Sequence, residues 1–376
     1  MKANLYEVAL HLAEGIGGVT ARHLLAAFGS AEEIFKAKKS QILRLQGVGE
    51  KVAKSLTEQI PTLFQRAEKE ILQAEKKNIQ MHFFTEPTYP SRLKQIDDAP
   101  ILIYQKGDAS LNQEKHLAIV GTRQASHYGR QFLEELLLEL KAYKPLIISG
   151  MAYGIDIIAH REALKNQLCT VGVLANGLDL MYPALHQHTA EQMLAEGGAL
   201  ISESPLGTKP DAPRFPARNR ITAALADIVL VVESMKKGGA MITAQYANDY
   251  HREVAALPGN YHLATSEGCN LLIKKHQAHL VTCAEDLAYL MNWEKESQTA
   301  KKKKKSLNLS EYSLNQEETL VIKELFEKEQ SSIDELSLFL SIPLNHIAVI
   351  LLNLEMQDLI EALPGKRFRL KQKLYF

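Results

Sequence analysis

The residues with the most obvious chemistry are cationic side chains set among glycines. Gly121-Thr122-Arg123 with Ser126 follows one apolar run, and Ser149-Gly150 with Gly154 closes the next. Phe215 with Arg218-Asn219-Arg220 stands in a third stretch, and Lys237 with Gly239 in a fourth. Glycine lets backbone N–H groups approach a phosphate, a helix starting there adds a favourable dipole, and arginine offers a planar fork to two oxygens. The chemistry is anion recognition, and phosphate is the guest. Six basic and three acidic residues lie between Pro205 and Ala240, whereas the whole chain balances 44 basic against 44 acidic residues. Any surface for a polyanion is therefore local.

A nucleotide cofactor is the usual tenant of such loops, but its signatures are missing. No segment reads G-x-x-x-x-G-K-[ST], and Gly121 and Gly129 are too far apart for G-x-G-x-x-G. No cofactor is expected. The basic residues exceed what one pyrophosphate needs, whereas a polymer laying several phosphates across the loops would use them, with Phe215 as a face for a base. The competing reading packs Phe215 into the core and pairs the arginines with Glu203, Asp211 and Glu233. A catalytic alternative also exists. Asp156 and His160 share a helix face and Glu233 ends a strand, as an N-glycosidase-like enzyme acting on a nucleoside phosphate would require. Yet no serine or cysteine sits in a nucleophile motif, and Asp156 can equally cap a helix, so no catalytic residue is expected. Cys169, Cys269 and Cys283 match no zinc spacing, nor do the histidines, so no metal is expected and the cysteines read as buried small residues.

The elements that position these residues follow from the apolar pattern. With 376 residues, 46% hydrophobic and 23% charged, the chain has the composition of a globular protein of two or three domains. From His116 short apolar runs alternate with helical stretches. Strands are expected over 117–120, 146–149, 170–174, 199–202, 228–232, 254–257 and 280–282. Helices are expected over 131–142, 155–165, 189–196, 220–226, 242–250 and 271–276. Such alternation forces a mainly parallel sheet with helices on both faces, a Rossmann-like α/β core whose strand-end loops gather on one rim. Strands near 79–84 and 101–104 extend that sheet, so this domain is placed at 61–292.

Residues 1–60 carry two copies of a short helix, a glycine turn and a second helix, at Gly15-Ile16-Gly17-Gly18 and Gly47-Val48-Gly49. This is a helix-hairpin-helix or SAM-like domain, able to meet phosphates or simply to turn tightly. A linker at 293–312 holds the lysine run 301–305, whose charges repel one another. Residues 313–376 read as three helices and a β-hairpin, a winged helix. With seven basic and eleven acidic residues from Leu307 to Phe376, it suits a protein partner at least as well as DNA. No apolar run is long enough to span a membrane and Met1 to Ala13 lacks a secretory pattern, so a cytoplasmic location without a membrane partner is expected.

In order and spacing, these residues resemble the DNA-processing protein A family (DprA, or Smf) of bacterial natural transformation. The resemblance spans nearly the whole chain. It rests on Tyr89-Pro90 with Asp98 and Pro100, Gly121-Thr122-Arg123 with Ser126 and Tyr128-Gly129, and Ser149-Gly150 with Gly154-Ile155-Asp156 and His160. It continues through Gly177-Leu178-Asp179 with Tyr182-Pro183, Ile201-Ser202-Glu203, Phe215-Pro216 with Arg218-Asn219-Arg220-Ile221, Ile242-Thr243-Ala244 and Pro258-Gly259. It implies a dimeric, non-catalytic protein, paired through its Rossmann-like domain, that shields single-stranded DNA and loads a RecA-type recombinase. Carried over by position, the strand would lie on Gly121, Thr122, Arg123, Ser126, Ser149, Gly150, Gly154, Arg218, Asn219 and Arg220. Lys237 stands where the family has a basic residue. Lys237-Gly238-Gly239-Ala240 departs from the commoner Ser-Gly-Ser and removes a hydroxyl.

Overall fold

Segments such as Ile228–Val231 are apolar and buried at every position, which only a strand covered on both faces tolerates. The computed structural model describes residues 4–295, 307–308, 314–328, 330–340, 342–357, 359–363, 367–371 and 374–375. They divide into two units, Met1–Trp293 and Glu294–Phe376.

The first unit opens with six helices: α1 (Leu5–Leu12), α2 (Gly18–Phe28), α3 (Ala31–Lys36), α4 (Lys39–Ile42), α5 (Glu50–Thr57) and α6 (Ile60–Lys76). Then come β1 (Ile79–Phe83), α7 (Ser91–Lys94) and β2 (Leu102–Gly107). The alternating part runs β3 (His116–Val120), α8 (His127–Leu140), β4 (Leu146–Gly150), α9 (Ile155–Lys165), β5 (Thr170–Val173), α10 (Gln187–Ala195) and β6 (Ala199–Ser202). It ends with α11 (Arg214–Leu225), β7 (Ile228–Val231), α12 (Gly239–Asp249), β8 (Glu253–Ala256), α13 (Glu267–Lys274), β9 (His279–Leu280) and α14 (Ala284–Met291).

Among the described residues these strands form one nine-stranded sheet in the order β1-β2-β6-β5-β4-β3-β7-β8-β9. Only β2 runs against its neighbours; from β6 to β9 every pairing is parallel. This order has a functional consequence. From β3 the chain steps outward through β4 and β5 to β6, then returns along α11 to start β7 on the other side of β3. At such a reversal the loops diverge and leave a crevice at the carboxyl ends of the two strands.

Five helix starts lie upstream of where the apolar spacing puts them, among them α10, at Gln187 instead of 189, and α13, at Glu267 instead of 271. α8 begins at His127 instead of 131, α11 at Arg214 instead of 220, and α12 at Gly239 instead of 242. Their first turns are polar or glycine-rich and lack an apolar stripe. For α11 this brings residues 214–219, which the apolar pattern leaves outside the expected helix, into its first turns.

The boundary expected at 60 falls at the start of α6, and no break in packing occurs there. Val8, Leu24, Ile34 and Ala67 of the helices share one core with Leu102, Tyr104 and Met151 of the sheet region. Gly18 lies so close to the 96–99 segment that a Cβ would stand 2.1 Å from the Ala99 carbonyl oxygen. Arg22 adds hydrogen bonds to the carbonyls of Ile96 (2.6 Å) and Asp97 (2.8 Å). The first helix-hairpin-helix turn is thus a joint within the protein.

The second unit contains β10 (Leu307–Asn308), α15 (Gln316–Lys328), β11 (Ser331–Ser332), α16 (Ile333–Leu340), α17 (Leu344–Met356), β12 (Ile360–Leu363), β13 (Arg367–Leu370) and β14 (Leu374–Tyr375). β11, β13 and β12 form an antiparallel sheet, and β10 pairs with β14. Val321, Leu325, Leu336, Ile350 and Leu354 fill its core. Arg369 of β13 pairs with Glu361 of β12 across the strands. The lysine run 301–305 lies outside the described residues. Among the described residues no single helix is long and apolar enough to cross a membrane.

Candidate nucleic-acid interface

The crevice at the β3/β7 reversal is a trough of about 880 Å³. Of the residues expected at the site, Gly121, Thr122, Arg123, Gly150, Phe215, Arg218, Asn219, Lys237 and Gly239 line it. Tyr182, Asp156 and Asp211 also face it, and none of the three was assigned to strand binding from sequence. Ser126, Ser149, Gly154 and Arg220 are not part of the lining.

Three of those four hold the walls in place. Ser126 caps α8 and binds Glu233 twice, through its N–H to Oε2 (2.9 Å) and its hydroxyl to Oε1 (2.6 Å). The Thr122 N–H donates to the Glu233 carbonyl at 2.7 Å. Glu233 is 2% exposed and hangs the whole 121–126 loop from the end of β7. Gly154 has φ +77°, and a Cβ there would stand 2.2 Å from the Thr122 carbonyl oxygen, so only glycine lets α9 start this close to the loop. Buried Ser149 donates its hydroxyl to Ile119 O at 2.6 Å.

The floor is a buried cation and a buried acid. Arg218 is 6% exposed, donates from Nη1 to the Val173 carbonyl, and from Nε to Asn219 Oδ1 at 3.2 Å. Gly150 leaves room for both groups: a Cβ there would lie 2.5 Å from Asp156 Oδ2 and 2.6 Å from Arg218 Nη2. Burial pushes the Asp156 carboxyl up to about 6, against the pull of Arg218, the Ala152 N–H, the Ser149 hydroxyl and Arg123. His160, its sequence partner, faces Thr170 Oγ1 at 2.7 Å and Gly150 O at 2.9 Å, and burial lowers it to about 4. A neutral, fully engaged imidazole is no proton shuttle for the trough.

The lip is aromatic and cationic. The Arg123 guanidinium carbon lies 5.9 Å from the Phe215 ring centroid, and Tyr182 lies 5.8 Å from the same ring on a tilted plane. Arg123 and Lys237 are exposed, and among the described residues neither forms an ion pair. At the start of α12, Gly238 supplies no side-chain cap, so the first N–H groups of that helix border the trough. Asn219 ties this wall to α11 through a 3.4 Å bond to the Gly239 carbonyl.

Arg220 goes elsewhere. It pairs with Glu203 and lies 3.6 Å from Asp98 Oδ2, on the side of α11 away from the trough. Two residues on a helix are about 200° apart, so Arg218 and Arg220 cannot both face one ligand. The competing sequence reading, arginines tied to carboxylates, holds for Arg220 with Glu203. It does not hold for Glu233, whose oxygens serve Ser126. Cys269 is buried as expected, whereas Cys169 and Cys283 are half-buried.

Residues 80–292 match the family model described as DNA recombination-mediator protein A, and residues 10–60 match that of the SAM-like helix-hairpin-helix tandem. Protein Smf of Escherichia coli is 35% identical over 292 residues, covering 76% of this chain and 75% of its own. DNA processing protein DprA of Streptococcus pneumoniae is 33% identical over 273 residues, 68% of this chain and 96% of its own. Its X-ray structure superposes with a TM-score of 0.63 at 29% identity, covering 78% of this chain and 99% of that one. A Helicobacter pylori DNA processing protein A structure, described for a single-stranded DNA binding mode, gives a TM-score of 0.51 at 30% identity, with 57% of this chain and 98% of that one covered.

Proposed function

Since the chain belongs to the DNA recombination-mediator protein A family, we propose that its trough holds consecutive nucleotides of an unpaired DNA strand without reading their sequence. In this reading the protein processes incoming DNA in transformation and recombination. It shields the strand, delivers it to a RecA-type recombinase, works in the cytoplasm as a homodimer through the parallel-sheet unit, and performs no catalysis of its own. The strand lies along Gly121, Thr122, Arg123, Gly150, Phe215, Arg218, Asn219, Lys237 and Gly239, with Ser126, Ser149 and Gly154 as framework.

The observation that carries this is the lip formed by Arg123, Phe215 and Tyr182 over a glycine-walled trough. Planar groups beside cations suit a base stacked next to its phosphate, and a duplex keeps its base faces hidden. Glycines and helix starts contact backbone and carry no base code.

Titration of labelled oligothymidylate and of a duplex of equal length, each at two salt concentrations, tests the reading. Two to three phosphate contacts give the single strand a log–log salt slope of about −1.4 to −2.1. Equal affinity for the duplex, or affinity indifferent to salt, contradicts it. Delivery is tested by whether the protein speeds recombinase assembly on a strand already coated by a single-strand binding protein.

One observation favours the nucleoside-phosphate enzyme: a buried carboxyl, Asp156, lines the trough floor, where burial pushes it up to about 6. Chromatography of nucleoside monophosphates after incubation decides it, and release of free base would support it.

A further inference from the structure

We propose that the loop after β8 carries a second stacking platform, Tyr261 with His262, onto which the strand continues once it leaves the trough. This rests on the trough being a single-strand site, and it adds a base-binding subsite outside it.

The loop lies on the same rim. β8 is hydrogen-bonded to β7 and runs parallel to it, so their carboxyl ends are one strand spacing apart, about 4.8 Å. Two bonds fasten the loop and the helix start that follows it to the edge of the trough: Ser234 N–H to Thr265 O at 2.7 Å, and Gly268 N–H, in the first turn of α13, to Ser234 O at 2.8 Å. Ser234 and its neighbour Met235 both line the trough. On the other side, the Tyr128 hydroxyl at the start of α8 donates to the Pro258 carbonyl at 2.8 Å. A strand crossing the rim past Lys237 therefore meets this loop next.

The ring is offered to solvent by a fixed backbone. Tyr261 is 77% exposed, and among the described residues its hydroxyl makes no hydrogen bond. Its ring centroid lies 3.8 Å from that of His262. The turn beneath is built from Leu263 N–H to Asn260 O at 3.0 Å and His262 N–H to Asn260 Oδ1 at 2.9 Å. Gly259 and Asn270 close the base of the loop with bonds of 3.1 and 2.9 Å in opposite directions. An exposed aromatic on an ordered loop presents a stacking face without ordering cost at the moment of binding. Lys236, exposed and 3.6 Å from Glu267 at the start of α13, adds a cation next in the chain to the trough residue Met235. The ligand is any base of an unpaired strand, because stacking is indifferent to sequence.

Oligothymidylates of about 5 and 15 nucleotides separate the two subsites. The wild-type protein should gain affinity with length. Tyr261→Ala should match it on the short oligomer and bind the long one at least about fivefold more weakly. Tyr261→Phe should restore binding, and Arg123→Ala should weaken both oligomers. Full affinity of Tyr261→Ala for the long oligomer, equal losses on both, failure of phenylalanine to rescue, or an altered sedimentation coefficient overturns the platform while leaving the trough intact. A wild-type protein that binds neither oligomer overturns the trough and the platform together.

Discussion

Replacing Asp156 by asparagine tests the electrostatics of the trough floor. Asp156 sits in the first turn of α9, buried beside Arg218, and burial moves its carboxyl from 3.8 to about 6. The folded value lies above the unfolded one, so the native state holds the proton more tightly. Below about pH 3.8 the acid is neutral in both states and nothing is lost. Between 3.8 and about 6 the unfolded chain ionises first, and above that range the native state is weakened by about 3 kcal/mol. Asparagine imitates the neutral acid and keeps an oxygen for the Ala152 N–H. Asp156→Asn should therefore exceed the wild type in stability by up to about 3 kcal/mol at pH 8, with the gap closing near pH 4. Urea unfolding followed through Trp293, the one tryptophan, reports on this unit because that ring packs against its core. A phosphate entering the trough raises the Asp156 value further, so wild-type affinity for single-stranded DNA should rise from pH 8 to pH 6, whereas the variant's should stay flat. Lower stability of Asp156→Asn at pH 8 would refute the reasoning, since it would mean that attraction to Arg218 outweighs the cost of burial.

Other substitutions probe the walls. Glu233→Gln removes one of two acceptors for Ser126 and should cost about 1–3 kcal/mol in urea unfolding and weaken DNA binding; unchanged stability speaks against its role as the hook of the loop. Arg220→Met leaves the Glu203 carboxylate without its partner and should cost about 3–5 kcal/mol, while the folded variant binds DNA within about twofold of wild type. Strong loss of affinity at full stability would return Arg220 to the trough. Gly150→Ala drives a methyl group against Asp156 and Arg218 and should lower both stability and affinity, measured by the same two assays.

Much of this architecture is legible in the chain. The fully apolar strands declare a sheet buried on both faces, and their alternation with helices fixes its parallel sense, so the rim and most trough residues follow. Helix starts are less legible, because the turns at Arg214 and Gly239 have no apolar stripe. That difference misplaces Arg220: three consecutive polar residues look like one cluster in a loop, but a helix turns the third to the opposite side. Glu233 is legible as an acid and illegible as a hook, since its partner Ser126 is 107 residues away and meets it only through the β3/β7 pairing. Tyr182 could have been found as an aromatic at the end of the β5 loop, on the rim that the topology already defines. The helical module shares its core with the sheet, and no composition shift marks that junction.

The most direct test of strand binding in the trough is the salt dependence of oligothymidylate affinity for the wild type and for Arg123→Ala. Loss of this one exposed guanidinium should weaken binding and make the log–log slope shallower by about 0.7. Affinity and slope both equal to those of the wild type would mean that the strand lies somewhere else.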